Sequence, residues 1–127
     1  MPDGVKTVLV VDDDPDARDF FITVLEDHGY NTVFARDGNE ALDRIQEKLP
    51  DLITLDVTKP EKSGVGVYRK LKETEEYVDI PVIIITGVSD DFKHFISSRR
   101  SVPPPKGYLS KPIEPDELIG LVEKLLT

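Results

Sequence analysis

Short apolar runs alternate along the chain with stretches in which apolar residues recur every three or four positions. The short runs are rich in β-branched residues, which is typical of strands, and they lie at Thr7–Val11, Thr32–Ala35, Leu52–Leu55, Val82–Ile85 and Tyr108–Leu109. The other stretches predict five helices, which are marked by Phe21 and Leu25, Ala41 and Ile45, Val67 and Leu71, Phe92 and Ile96, and Leu118 and Val122. This alternation predicts an α/β domain in which helices cover both faces of a parallel sheet.

Turn and capping residues agree with this division. Pro15 stands where a proline is tolerated in the first turn of a helix, and Gly29 is typical of a helix C-cap. Pro115 is followed by two acidic residues, as expected at the start of the last helix. No repeat or linker interrupts the pattern, so we expect a single domain over residues 1–127 with its core at about residues 6–126.

The composition narrows the class of protein. Among 127 residues, 39% are hydrophobic and 32% are charged, which favours a folded domain over a disordered chain. The absence of cysteine excludes disulfides and thiolate chemistry. The formal net charge of −9 argues against nucleic-acid binding by this chain alone. No apolar stretch approaches the roughly 20 residues of a membrane helix, and no signal peptide is visible, so we expect a cytoplasmic protein that does not contact a membrane.

Polar residues follow the predicted strands where each strand ends. They are Asp12, Asp13 and Asp14 after the first strand, Asp56 after the third, Thr86 after the fourth, and Lys111 shortly after the fifth. In open α/β sheets, ligands bind at the carboxyl ends of the strands, so we expect these side chains to face one crevice.

The chemistry of this group points to phosphate. Neighbouring carboxylates repel one another and must bind a proton or a cation. Mg²⁺ prefers one or two carboxylates together with waters and phosphate oxygens, and a lysine meets phosphate as a point charge. A carboxylate can itself be the nucleophile of phosphoryl transfer. Taken singly, each residue also has a structural explanation, since a run such as Asp12–Asp14 is equally typical of a helix N-cap.

The sequence resembles the receiver domains of bacterial response regulators, typified by the chemotaxis response regulator, from about Lys6 to Leu126. The matching stretches are Val8–Asp14, Leu52–Asp56 with Pro60 and Gly64 after it, Ile80–Gly87 and Gly107–Pro112. The resemblance implies a three-layer, flavodoxin-like, doubly wound fold with five helices and a five-stranded parallel sheet in the order 2-1-3-4-5. It also implies a cis peptide bond between Lys111 and Pro112, although only about 5–6% of X–Pro bonds are cis.

The resemblance also implies a role for each acidic residue. Asp56 is expected to be the phosphoacceptor. Asp13 and Asp56 are expected to ligate Mg²⁺ directly and Asp12 through a water, with the backbone carbonyl of Thr58 as a further ligand. Asp14 ranks below Asp12 and Asp13 as a contributor to the metal site.

Thr86 and Lys111 are expected to bind the phosphoryl oxygens, and Thr86 and Tyr108 to couple phosphorylation to an output surface. The expected phosphodonor is a phosphohistidine on a sensor histidine kinase or a histidine phosphotransfer protein. Output is expected to be contact with a downstream protein of unknown identity, and a homodimer that forms on phosphorylation is compatible with the family. Apart from its own phosphorylation and dephosphorylation, the chain is not expected to be an enzyme.

Two alternatives remain open. The first is a pseudo-receiver, a scaffold that acts without phosphorylation, although the set Asp12, Asp13, Asp56, Thr86 and Lys111 is complete. The second is a phosphohydrolase of the haloacid-dehalogenase type, because the run of aspartates after the first strand contains an Asp-x-Asp pattern. That class gives no role to the acidic end of the third strand and requires a cap domain for which this chain has no room.

Three features depart from the family pattern. Lys59 stands where methionine is usual, and we expect it to point into solvent. Val88 is apolar and cannot orient an attacking water, which suggests slow self-dephosphorylation. Pro103–Pro105 replace a short turn before the fifth strand, and they form either a ridge for a specific partner or a stiff loop that lowers the entropy of the unfolded chain.

Overall fold

The computed structural model describes residues 5–56, 64–86 and 107–126. In chain order, the elements are β1 (Thr7–Val11), α1 (Pro15–Asp27), β2 (Asn31–Ala35), α2 (Gly38–Glu47), β3 (Leu52–Asp56), α3 (Gly64–Glu73), β4 (Val82–Thr86), β5 (Gly107–Ser110) and α4 (Pro115–Leu126). The predicted helix marked by Phe92 and Ile96 lies outside the described residues, as do Lys59, Val88 and Pro103–Pro105.

The five strands form one parallel sheet in the order β2-β1-β3-β4-β5, which confirms the predicted topology. Four strands are one or two residues longer than their apolar runs predict. The additions include Asp56 and Thr86, whose backbones still pair with Ile85 and Ser110. Ladder hydrogen bonds use the backbone alone, so a strand continues past the last apolar side chain.

Helix ends follow the predicted capping residues. Pro15 occupies the first turn of α1, where its missing N–H costs nothing. Gly29 follows the other end of α1 with φ +90°, a backbone conformation that glycine adopts without steric cost. Asp37 is the N-cap of helix α2 and accepts from the backbone of Glu40, while the Glu40 carboxylate accepts from the backbone of Arg36, the residue before the cap.

The sheet divides the hydrophobic core into two layers. Successive residues of a strand point to opposite faces, so Leu9 packs with residues of α2 and α3, whereas Val10 packs with residues of α1 and α4. All five residues of β1 are buried. Because this strand is buried on both faces, apolar residues occupy successive positions along it and do not alternate with polar ones. Within the described parts of the chain, no helix combines the length and apolarity needed to cross a bilayer.

Leu9→Ala tests the contribution of the central strand. Leu9 is fully buried, and removing its side chain should lower the free energy of unfolding by about 2–5 kcal/mol, because transfer free energy is lost and a cavity remains. Val33→Ala is a matched control, since Val33 is the β2 residue paired with Leu9 but is 38% exposed. Urea denaturation of both variants provides the measurement. Equal losses of stability would contradict this account of the core.

Candidate functional site

Four of the predicted site residues lie at the carboxyl edge of the sheet. Asp12 directly follows β1, Asp56 ends β3, Thr86 ends β4 and Lys111 directly follows β5. The strand registers bring these ends to a similar level, because Asp56 pairs with Ile85 and Thr86 pairs with Ser110. The crevice expected from the topology is therefore lined by side chains from several strands.

Asp56 and Lys111 form an ion pair at the centre of this edge. The distance from Lys111 Nζ to Asp56 Oδ2 is 2.7 Å, and the side chains are 34% and 8% exposed, respectively. Burial disfavours the charge on Lys111, but the hydrogen bond to Asp56 and the negative charges of Asp56, Asp12 and Asp14 outweigh it, so the pKa of Lys111 is raised. Lysine therefore supplies a permanent positive charge beside a largely buried carboxylate.

Asp12 is a buried carboxyl group next to Asp56. The residue is only 4% exposed, and its Oδ1 accepts a hydrogen bond of 2.9 Å from the backbone N–H of Asp14. Nothing among the described residues donates a hydrogen bond to the buried Oδ2. The pKa of Asp12 is raised to about 7, mainly by burial and also by a hydrogen bond with the Asp56 carboxyl and the negative charge of Asp56. The hydrogen bond from the Asp14 N–H and the charge of Lys111 oppose this shift. The two carboxyl groups therefore favour a shared proton or a cation.

The neighbouring aspartates differ in their surroundings. Asp14 is the N-cap of α1, where its Oδ1 accepts a hydrogen bond of 3.2 Å from the backbone N–H of Asp16. The structural explanation of an N-cap thus holds for Asp14, which agrees with its lower rank as a metal contributor. Asp13 is exposed and stands between the buried Asp12 and the cap.

The remaining predicted groups are only partly described. The peptide bond between Lys111 and Pro112 is cis, as the resemblance implied. Tyr108 is half-buried on the face of the sheet that α2 and α3 cover, and burial raises its pKa. The side chain of Thr86 and the carbonyl of Thr58 lie outside the described residues.

The donor set fits a small hard cation. In residues 5–56, 64–86 and 107–126, no three acidic or histidine side chains are grouped into a site that could hold a metal on their own. Mg²⁺ does not require such a group, because it commonly uses one or two carboxylates and completes its shell with waters and phosphate oxygens. Asp12, with a raised pKa and a buried oxygen that receives no donor, and the adjacent Asp56 provide the carboxylates that such an ion needs.

Arg18 also belongs to this neighbourhood, although the predicted set does not include it. Its guanidinium Nη1 donates a hydrogen bond of 3.0 Å to the backbone carbonyl of Asp12. The guanidinium also lies over the ring of Phe34, 4.9 Å from the ring centroid. The only signal in the sequence is the position of a basic residue in the early turns of a helix that follows the acidic strand end.

Several known proteins are similar to this chain. The family model of the response regulator receiver domain matches residues 8–123. The polar-differentiation response regulator DivK of Brucella ovis is 36% identical, over 95% of this chain and 96% of that protein. The phosphate regulon transcriptional regulatory protein PhoB of Pseudomonas aeruginosa is 33% identical over 95% of this chain, which spans about half (52%) of the length of PhoB.

Solved structures show the same fold. The signal receiver domain of a signal transduction histidine kinase from Syntrophus aciditrophicus superimposes with a TM-score of 0.83 and 32% identity, over 96% of this chain and 90% of that chain. The family match covers most of the sequence, and the topology agrees with it. The chain therefore belongs to the receiver domains of two-component response regulators.

Proposed function

We propose that this receiver domain accepts a phosphoryl group on Asp56 from a phosphohistidine donor in a Mg²⁺-dependent reaction. The observation that carries the proposal is the Asp56 carboxylate, which is 8% exposed and lies 2.7 Å from the Lys111 ammonium. Beside it stands the second carboxyl group, Asp12, whose pKa is raised to about 7 by burial and by its contact with Asp56. An anionic nucleophile, a fixed cation and a second carboxyl group are the elements of phosphoryl transfer to a carboxylate.

The placement of these groups supports the following phosphoryl transfer. A carboxylate oxygen of Asp56 attacks phosphorus, the P–N bond of the phosphohistidine breaks, and its electron pair stays on the ring nitrogen. Lys111 then faces phosphoryl oxygens instead of a bare carboxylate and neutralises part of their charge. The proposed roles of Thr86 are to donate its hydroxyl to the same oxygens and, with Tyr108, to couple phosphorylation to the output surface.

Asp12, Asp13 and Asp56 are the side chains that would hold Mg²⁺, Asp13 and Asp56 directly and Asp12 through a water, together with the carbonyl of Thr58. When bound, Mg²⁺ supplies positive charge for the carboxylates and for the incoming phosphoryl oxygens. Two features of the described residues support this assignment. No hydrogen bond is donated to the buried Oδ2 of Asp12, and burial and the contact with Asp56 make its negative charge costly without a cation.

The proposed partners follow from the same chemistry. The phosphodonor is a sensor histidine kinase or a histidine phosphotransfer protein in the cytoplasm. Phosphorylation switches a surface that binds a downstream protein, or a second copy of the chain, rather than nucleic acid or a membrane. Within this proposal, residues 1–127 act as a single switch module and not as an enzyme that turns over an external substrate.

Intact-mass measurement tests the proposal. With a small acyl phosphate and Mg²⁺, the protein should gain about 80 Da, the mass of one phosphoryl group, and it should gain nothing in EDTA. Borohydride reduction, which converts an aspartyl phosphate to homoserine, should mark Asp56. If neither the acyl phosphate nor a phosphohistidine protein produces this gain, the phosphotransfer proposal is wrong and the scaffold alternative is favoured.

A further inference from the structure

Arg18 connects α1 to the backbone of the acidic strand end. Its own backbone N–H donates to the carbonyl of Asp14, which is an ordinary helical hydrogen bond of 3.0 Å. Its side chain reaches outside the helix, where Nη1 donates a partly buried hydrogen bond of 3.0 Å to the backbone carbonyl of Asp12. A side chain of the helix thus holds the peptide group that joins Asp12 to Asp13.

The polar atoms of Asp12 show what this contact completes. The backbone N–H of Asp12 donates to Ala35 of β2 at 3.0 Å, and Oδ1 accepts from the backbone of Asp14 at 2.9 Å. The backbone carbonyl accepts from Arg18. Only Oδ2 receives no donor from the described residues, and this oxygen is buried. Three of the four polar atoms of Asp12 are therefore held by groups of this chain, and its carboxyl group lies beside that of Asp56.

The hydrogen bond from Arg18 also constrains Asp13. The carbonyl of Asp12 and the N–H of Asp13 belong to one planar peptide group. A hydrogen bond that fixes the carbonyl therefore also fixes the position of the Asp13 backbone nitrogen. The ring of Phe34 holds the guanidinium in place, with 4.9 Å between Arg18 Cζ and the ring centroid. Phe34 lies on the edge strand and remains 42% exposed, so contact with the guanidinium covers part of an otherwise exposed ring.

We propose that Arg18 is a positioning residue for the Mg²⁺ site, which it serves by fixing the peptide plane between Asp12 and Asp13. This inference rests on the proposed function, because it assumes that these two carboxylates serve a bound cation. Arg18 touches neither the phosphoryl group nor the metal in this proposal. It acts through the backbone, and groups that orient metal ligands commonly change metal affinity about 10–100-fold when they are removed.

The sign of the effect separates positioning from simple electrostatics. Arg18 carries a positive charge close to a site for a cation, so removing that charge should tighten Mg²⁺ binding if only charge matters. If positioning matters more, removing the side chain should weaken binding. The two explanations therefore predict opposite changes in the dissociation constant.

Isothermal titration of the intact protein with Mg²⁺ alone provides the test. We expect Arg18→Met to raise the dissociation constant about tenfold, while Arg18→Lys, which keeps a charged donor, recovers part of the affinity. Arg36→Met is the matched control. Arg36 follows β2, and its guanidinium pairs with Glu40, so this variant removes one positive charge without touching the backbone of Asp12. Its dissociation constant should stay unchanged or fall slightly.

The outcomes are distinguishable. If wild-type protein binds no Mg²⁺, the metal assignment of the proposed function fails. If the wild type binds and Arg18→Met binds as tightly or more tightly, only the positioning role is overturned. Thermal unfolding in EDTA checks that Arg18→Met is folded. If Arg18→Met does not fold, Phe34→Leu is the second test, because it removes the ring that holds the Arg18 guanidinium. This variant should weaken Mg²⁺ binding about threefold. An unchanged affinity would overturn the inference.

Discussion

Asp56→Asn should gain no phosphoryl group under conditions in which the wild-type protein is fully modified. The amide has nearly the shape of the carboxylate, but it is neutral and its oxygen is a poor nucleophile. The substitution also removes the negative partner of Lys111, whose Nζ lies 2.7 Å from Asp56 Oδ2. We therefore expect complete loss of the mass gain of about 80 Da, rather than a slower reaction.

Asp43→Asn is the control for this experiment. Asp43 is exposed on α2, so its removal lowers the negative charge by the same amount without changing the acidic edge. This variant should be phosphorylated like the wild type. A mass gain that persists in Asp56→Asn would show that another residue is the nucleophile, and Asp12 would be the next to test.

Asp12→Asn should stabilise the metal-free protein at pH 8. The pKa of Asp12 is about 7 in the folded state and 3.8 in the reference state, so between about pH 4 and pH 7 the folded chain holds a proton that the unfolded chain has lost. The free energy of unfolding therefore falls as the pH rises through this window. Above pH 7, the ionised Asp12 destabilises the folded state by the full amount. One pKa unit corresponds to 1.36 kcal/mol, so the variant should gain roughly 2–4 kcal/mol in EDTA at pH 8.

The hydrogen bonds of Asp12 favour its substitution by asparagine. Asparagine keeps the oxygen that accepts from the backbone of Asp14, and its amide can donate to Asp56. Urea denaturation in EDTA at pH 5 and pH 8 provides the measurement, and the difference between the two pH values should shrink in the variant. Added Mg²⁺ should stabilise the wild type more than the variant. If Asp12→Asn is less stable than the wild type at pH 8, the buried negative charge of Asp12 does not destabilise the metal-free fold as described.

The sheet was predictable because its signal is local. Buried parallel strands require continuous apolar runs, and Val8–Val11 and Val82–Ile85 have them, so their positions follow from the pattern, and the strand order follows from the resemblance. The polar residues after these runs were also visible, since a strand end places them at one edge. The exact bounds were less predictable, because the ladder continues through Asp56 and Thr86 without apolar side chains.

The electrostatics of the edge could not be predicted in the same way. Asp12, Asp13 and Asp14 are identical in the sequence, yet one is buried, one is exposed and one caps a helix. These differences depend on the packing around each residue and not on its type. The contact of Arg18 with Phe34 likewise joins α1 to a different strand, and no local pattern encodes it.

The ion pair between Asp56 and Lys111 spans a strand that lies between its two ends. Asp56 ends β3 and Lys111 follows β5, while β4 runs between them, so the lysine side chain bridges two strand spacings of about 4.8 Å each. Strand β5 is at the edge of the sheet and carries Tyr108, three residues before the lysine. Lys111 therefore connects the carboxylate at the end of the central strand β3 to the residue that directly follows an edge strand. The lysine that neutralises charge at the carboxylate thus also links two strands of the sheet that share no backbone hydrogen bonds.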